Sequence, residues 1–314
     1  MHRYLLKRFA SMLITLVVAC ALTFFLMHMI PGETTEIILK HTFIGLEETA
    51  TEEQLMQFSE KYNLNDPLYI QFFEWLKNFL LNGDIGTSYV YHKPVIYLLK
   101  LRLPATILLA TSSMLITVVL GISLGVYSAL KQNKLSDHIL RFISLFGVSM
   151  PGFWIGLLLI LLFSVKLKLI PATDYGSLEN LFLPALALSS HSIASVMRIT
   201  RTSMLETLGQ DYIKFAVAKG LSTRTIVLRH AMKNALLPVI TVLGFQMGHL
   251  LGGSIVIEQV FTWPGIGSLL VNSISARDIP VVQGCVMCIV AMFLMINFLV
   301  DIFYTYLDAR IKYD

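Results

Sequence analysis

Six stretches of this sequence carry no charged residue: Phe9–Ile30, Pro104–Leu130, Phe142–Val165, Leu181–Met197, Ala235–Ile257 and Ile279–Val300. Five are 22 residues or longer, and the fourth has 17. A helix of about 20 apolar residues matches the ~30 Å hydrocarbon layer of a bilayer. Within that layer every backbone N–H and C=O must be bonded internally, which favours helices. The pattern predicts an all-α polytopic membrane protein with six transmembrane helices, forming a single domain over residues 1–314. With 55% hydrophobic and only 14% charged residues, a soluble globule is excluded for want of polar surface.

The first run follows Arg3, Lys7 and Arg8, as in a signal peptide, and Val17–Cys20 resembles a lipoprotein cleavage box. It continues ten residues past Cys20, however, where a cleaved product would turn polar. It reads as a transmembrane helix.

Charge then orients the chain. The N-terminus, 131–141, 198–234 and the tail from Asp301 together hold 15 Lys+Arg and 6 Asp+Glu. The opposite face holds 9 and 14. Basic loops stay inside, so both termini are expected in the cytoplasm. The net charge of +4 thus reflects topology, and no nucleic-acid partner is needed to explain it.

On the opposite side, 31–103 reads as an external helical insertion. Thr51-x-x-Gln54 is a capping-box pattern. Asp66-Pro67 opens a helix over Leu68–Leu81 that ends at Gly83, with an apolar stripe including Phe72, Phe73, Leu76 and Phe79. That helix is expected on the bundle or at the outer membrane face. Thr117, Gly121, Gly125 and Ala129 recur every four residues, as do Gly244, Gly248 and Gly252. Such stripes let a neighbouring helix approach closely in lipid. Pro151-Gly152 and Pro184 are expected kinks, and Trp263 in the external turn 261–267 suits the membrane interface.

The segment 198–234 is expected on the cytoplasmic face. Asp211 is a candidate N-cap and Gly220 a candidate C′ residue, which predicts a capped helix over Tyr212–Lys219. It is apolar nearly all round and spans roughly 12 Å, too short to cross a membrane. Such a helix needs either a protein partner or the membrane surface. Ser222 is placed to cap a second helix running to Pro238.

Motifs of catalysis are mostly missing. No G-x-x-x-x-G-K-[ST] or H-E-x-x-H occurs. Cys285-x-x-Cys288 has zinc-like spacing but no second pair, and reads as small apolar packing. No cofactor is expected. The histidines within the runs are His28, His191 and His249. His191 and His249 fall near mid-span, where they either line a pathway or bridge two helices.

Ala216-Val-Ala-Lys-Gly-Leu-Ser222, followed by Arg229-His230-Ala231, Asn234-Ala235 and Leu237-Pro238, resembles the loop of ATP-binding-cassette importer permeases of the peptide/nickel group. Lys214, Phe215 and Lys233 depart from the broader consensus. Further matching runs include Ile30-Pro31-Gly32, Gly83-Asp-Ile-Gly-Thr-Ser88, Glu258…Phe261-x-Trp-Pro-Gly-Ile-Gly267 and Arg277-Asp278…Pro280-Val-Val-Gln283. The resemblance implies a first-permease subunit whose loop helix docks on an ATPase through Tyr212, Phe215, Ala216, Lys219, Gly220 and Leu221. It also implies a second permease subunit, two ATPase subunits and an external solute-binding protein as partners, with membrane lipid around the spans. Two other classes stay in view. A self-sufficient carrier calls for inverted repeats and deep carboxylates, and an intramembrane enzyme calls for a nucleophile beside His191 or His249. Nickel, metal-chelate and peptide permeases share these motifs. The chain's length and modest external segment, with Met27-His28-Met29, His191, Met247 and His249 as soft ligands, lean the expectation narrowly to nickel or a chelate.

Overall fold

In a computed structural model, residues 2–29, 56, 66–171 and 175–307 are described, and side chains are placed for most of them. The predicted helix start at Thr51 and the side chain of His28 lie outside the described residues. Helices dominate what is described, with one isolated antiparallel bridge, Thr87 to Pro94. The chain divides into two compact units, one formed by Met1–Thr106 with Pro264–Phe298 and the other by Ile107–Trp263 with Leu299–Ala309.

The first unit begins with α1, His2–Met29, whose apolar segment Ala10–Met27 is long enough to cross a bilayer. Helix α2, Leu68–Asn82, starts after Pro67 and stops at Gly83, which adopts φ +65°. Asp66 does not cap it by its side chain; its carbonyl instead accepts a bond from Gln71 Nε2 at 2.8 Å. The aromatic stripe of α2 meets α1, with Phe72 and Phe24 ring centroids 5.5 Å apart. Trp75 Nε1 donates to the Ile85 carbonyl at 3.0 Å, fixing the return of the chain. Helix α9, Ile266–Ser275, hands over to α10, Ile279–Leu307, through Arg277 at φ +51° and Asp278. Fully buried Asp278 accepts bonds from Ser88 Oγ and from the backbone N–H groups of Tyr89 (3.2 Å) and Val90 (3.3 Å). Burial pushes its carboxyl above the ordinary carboxylate range, against the pull of those donors. Two sequence runs almost 200 positions apart, 83–88 and 277–283, are thereby one structural clamp.

The second unit is built on α6, Leu178–Leu208, around which α3 (Val95–Leu130, of which 107–130 belongs to this unit), α4 (Leu135–Ser149), α5 (Gly152–Lys166) and α8 (Thr223–Val260) pack. The small-residue stripe of α3 is its contact with α6. A Cβ on Gly121 would lie 2.8 Å from Val196 Cγ1, and one on Gly125 would lie 2.7 Å from the Met197 carbonyl. Only glycine fits there. The α8 stripe behaves differently: a Cβ on Gly244 would press Val300 at 2.7 Å, whereas Gly252 faces open space.

The kink expected at Pro151-Gly152 is a sharp one: α4 and α5 meet at Met150-Pro151 with a bend of 110°. Proline cannot donate the next helical bond, and the residue before it avoids helical geometry, so Met150 is extended (ψ 136°). The loop 198–234 is largely helical, because α6 runs on to Leu208 and α8 starts at Thr223. Trp263 is buried, only 2% exposed, with its ring 4.8 Å from that of Tyr175. A turn with Thr262 at φ +53° swings it inward, and its N–H bonds to the Glu258 carbonyl at 2.7 Å.

Candidate functional site

Helix α7, Asp211–Ala218, lies between α6 and α8. The extended residue at its start is Gln210, so Asp211 is the first helical residue and does not cap; its carboxylate takes Lys214 Nζ at 2.8 Å. The far end closes as the sequence suggests. Gly220, at φ +77°, donates to the Val217 carbonyl at 2.9 Å, and Leu221 donates to the Ala216 carbonyl at 3.3 Å. This paired closure places a left-handed residue one position past the cap, which glycine adopts without steric cost. Ser222 Oγ then accepts from Thr225 N–H at 3.3 Å and starts α8.

Helical geometry divides the apolar residues of α7 between two faces. Ile213 and Ala216, three apart, point inward onto Ala129, Met204, Ile226, Val227, Ala231 and Ala235. Tyr212, Phe215, Val217 and Leu221 are exposed, Phe215 to 62%. Lys219 holds its ammonium 4.7 Å from the Phe215 ring centroid. Asn234 Nδ2 donates to Tyr212 Oη at 2.8 Å, tying α7 to α8. Ala216 is only 6% exposed, so its side chain is spent on the chain's own core and is not offered outward beside Phe215.

Next to that core lies an ion pair that the sequence reading passed over. Fully buried Asp137 on α4 accepts bonds from Arg201 Nε and Nη2, both 2.8 Å, from Ser128 Oγ at 2.5 Å and from Asn133 N–H at 3.0 Å. Both carboxylate oxygens are satisfied, and one group staples α3, the 131–134 turn, α4 and α6. Ser128 adjoins Ala129, and Arg201 sits one turn before Met204, so the staple abuts the seat of α7. Asp137 and Arg201 are 64 positions apart, and no local periodicity links them.

His191 on α6 and His249 on α8 come together, their ring centroids 5.3 Å apart. Both line a pocket of about 410 Å³ at the α4–α5 bend, walled by Met150, Pro151, Phe153 and Val256. Beside the rings, Ser192 Oγ donates to Gln246 Oε1 at 2.8 Å across the same two helices. Ser190 Oγ is bonded to the Ala187 carbonyl at 2.7 Å, so it is not held against either histidine as a nucleophile. Among the described residues no three His, Cys, Asp or Glu side chains gather to hold a metal ion.

Comparison with known proteins bears on this arrangement. Residues 121–313 match the family described as binding-protein-dependent transport system inner membrane component, and residues 1–110 match its N-terminal membrane component. The chain is 36% identical, over the whole of both chains, to the dipeptide transport system permease protein DppB of Alkalihalophilus pseudofirmus. It is 37% identical to the glutathione transport system permease protein GsiC of Escherichia coli O6:H1, and 38% to that of Salmonella choleraesuis, again over the full length of each. Such subunits work with ATPase and substrate-binding components. With its membrane-length helices and these full-length matches, the chain belongs to the binding-protein-dependent transport system inner membrane component family and is a multi-pass membrane permease subunit of an ATP-driven importer.

Proposed function

We propose that this chain is one half of a permease heterodimer that imports small peptides. Two ATPase subunits bind from the cytoplasm and an external protein delivers the cargo. The permeases named for dipeptide and glutathione, at 36–37% identity over full length, support a peptide cargo over nickel. The His191–His249 pair lines the pathway in this reading. Two imidazoles can each donate and accept hydrogen bonds to a passing peptide, and they bind weakly enough to let it go. ATP is hydrolysed on the partner subunits and not on this chain.

The observation that carries the proposal is the two-faced helix α7. Ile213 and Ala216 anchor it on its own subunit, while Tyr212, Phe215, Val217 and Leu221 stand exposed at its outer face. A helix bolted to the permease on one side and greasy on the other can pass on a push from an ATPase groove. The test is Phe215→Asp in the purified complex. Expected are loss of ATPase subunits, or loss of ATPase stimulation by loaded binding protein, with the permease pair still folded. Full stimulation in that variant sinks the docking role and leaves α7 a membrane-surface helix. The pathway role is tested by His191→Gln with His249→Gln, which should cut peptide uptake at least tenfold while ATPase assembly persists. Normal uptake would leave the two histidines as a bridge between helices. Uptake of nickel, and of no peptide, by the wild-type complex would restore the metal cargo.

A further inference from the structure

Besides the pocket at the histidine pair, a second pocket of about 400 Å³ lies between α4 and α6. His138 and Arg141 from α4 and Arg198 and Arg201 from α6 supply its polar wall, with Phe142 and Met197 as apolar wall. At helical rise, Arg141 lies roughly 10 Å along α4 from Val148, and Arg198 lies roughly 10 Å along α6 from His191. The two pockets therefore follow one another along the same pair of helices.

Charge decides what such a pocket accepts. Arg201 is committed to Asp137, which is buried and fully bonded, so that pair cancels. Arg141 and Arg198 are exposed and have no carboxylate partner among the described residues. Two uncompensated guanidinium groups beside apolar walls repel a bare divalent cation. They suit a carboxylate, whose planar oxygens match the guanidinium fork. An anionic phospholipid headgroup would satisfy the same charge, but lipid gives no reason for the pocket to lie on the same two helices that wall the histidine pocket.

We propose that Arg141 and Arg198 form a release station for the carboxylates of an anionic cargo, so that this importer favours acidic peptides. The inference rests on the peptide reading above. The test uses the intact importer in vesicles with its binding protein, wild type against Arg141→Gln with Arg198→Gln. Uptake of Ala-Glu, Ala-Ala and Ala-Lys is measured, and each variant rate is divided by the wild-type rate for the same peptide, which cancels selection by the binding protein. The ratio should fall about tenfold further for Ala-Glu than for Ala-Lys, and lysine at both positions should restore part of it. An equal fall for all three peptides that is reversed by more phosphatidylglycerol in the vesicle makes the pocket a lipid seat and overturns the inference. An equal fall without lipid dependence, or no fall, also overturns it. A wild-type complex that imports none of the three peptides overturns the peptide reading itself, and this inference with it.

Discussion

At the scale of single residues, neighbours on α7 have opposite duties. Ala216 is packed against Met204 and Ala231 of its own subunit. An aspartate there puts an unpaired charge into a dry contact, at a cost of several kcal/mol. Ala216→Asp should therefore unfold the α7 seat and lower the thermal stability of the purified permease, whereas Phe215→Asp should not. Thermal unfolding of both variants without the ATPase measures the difference, and equal stability would show that Ala216 faces outward. Glycine makes a second case. Gly125→Ala must drive a methyl to 2.7 Å from the Met197 carbonyl, which is backbone and cannot swing away. We expect a loss of about 1–3 kcal/mol, the usual cost of overpacking, again read from thermal unfolding. Both contrasts were half legible in the sequence. The four-residue spacing of small residues announced a close contact but not its partner. The all-round greasiness of α7 announced a helix in need of a partner but hid which side its own subunit takes, because the answer lies on residues of other helices, such as Ala129 and Met204.

At the scale of elements, the legible parts were those written in local chemistry. Gly83 and Gly220 end their helices in left-handed conformation, and Ser222 starts one, as their types suggest. Ile279–Val300 is apolar over the same bounds in the structure as in the sequence. What the sequence concealed depends on meetings at long range: Asp278 with Ser88, and Asp137 with Arg201. Loop charges look solvated when read in order, and only the fold shows that Asp137 is buried. The staple it forms carries a prediction. Asp137→Ala leaves the Arg201 guanidinium, 17% exposed, without its partner. The loss should be roughly 2–3 kcal/mol, below the 3–5 kcal/mol of a fully buried broken pair because water reaches the arginine. Replacing both residues, Asp137→Leu with Arg201→Leu, removes the orphan charge and should recover most of the stability. Thermal unfolding checks both, and a double variant as unstable as the single one would mean that Ser128 and Asn133, not Arg201, are the important partners.

At the scale of the whole molecule, the bend at Pro151 makes topology the open question. Neither α4 nor α5, each about 22 Å long, crosses a ~30 Å layer alone. Together they are either one broken span or a re-entrant pair. A re-entrant pair would leave five crossings. The termini would then lie on opposite faces; with the N-terminus inside, α7 would lie outside, and only nine of the 24 Lys+Arg would remain on the cytoplasmic face. A broken span keeps six crossings and fifteen of them inside. Basic flanks resist translocation, and Arg3, Lys7 and Arg8 hold the N-terminus inside; with that end fixed, the charge count favours six, and six crossings put α7 where an ATPase can reach it. Single cysteines at Asn133, Ser177 and Thr223 distinguish the two arrangements, since Asn133 and Ser177 flank the bent pair. With an impermeant thiol reagent on intact cells, Ser177→Cys should label at once, while Asn133→Cys and Thr223→Cys should label only after permeabilisation. Labelling of Thr223→Cys from outside, with Asn133→Cys and Ser177→Cys both protected, would make the pair re-entrant. It would also take the docking role of α7 down with it.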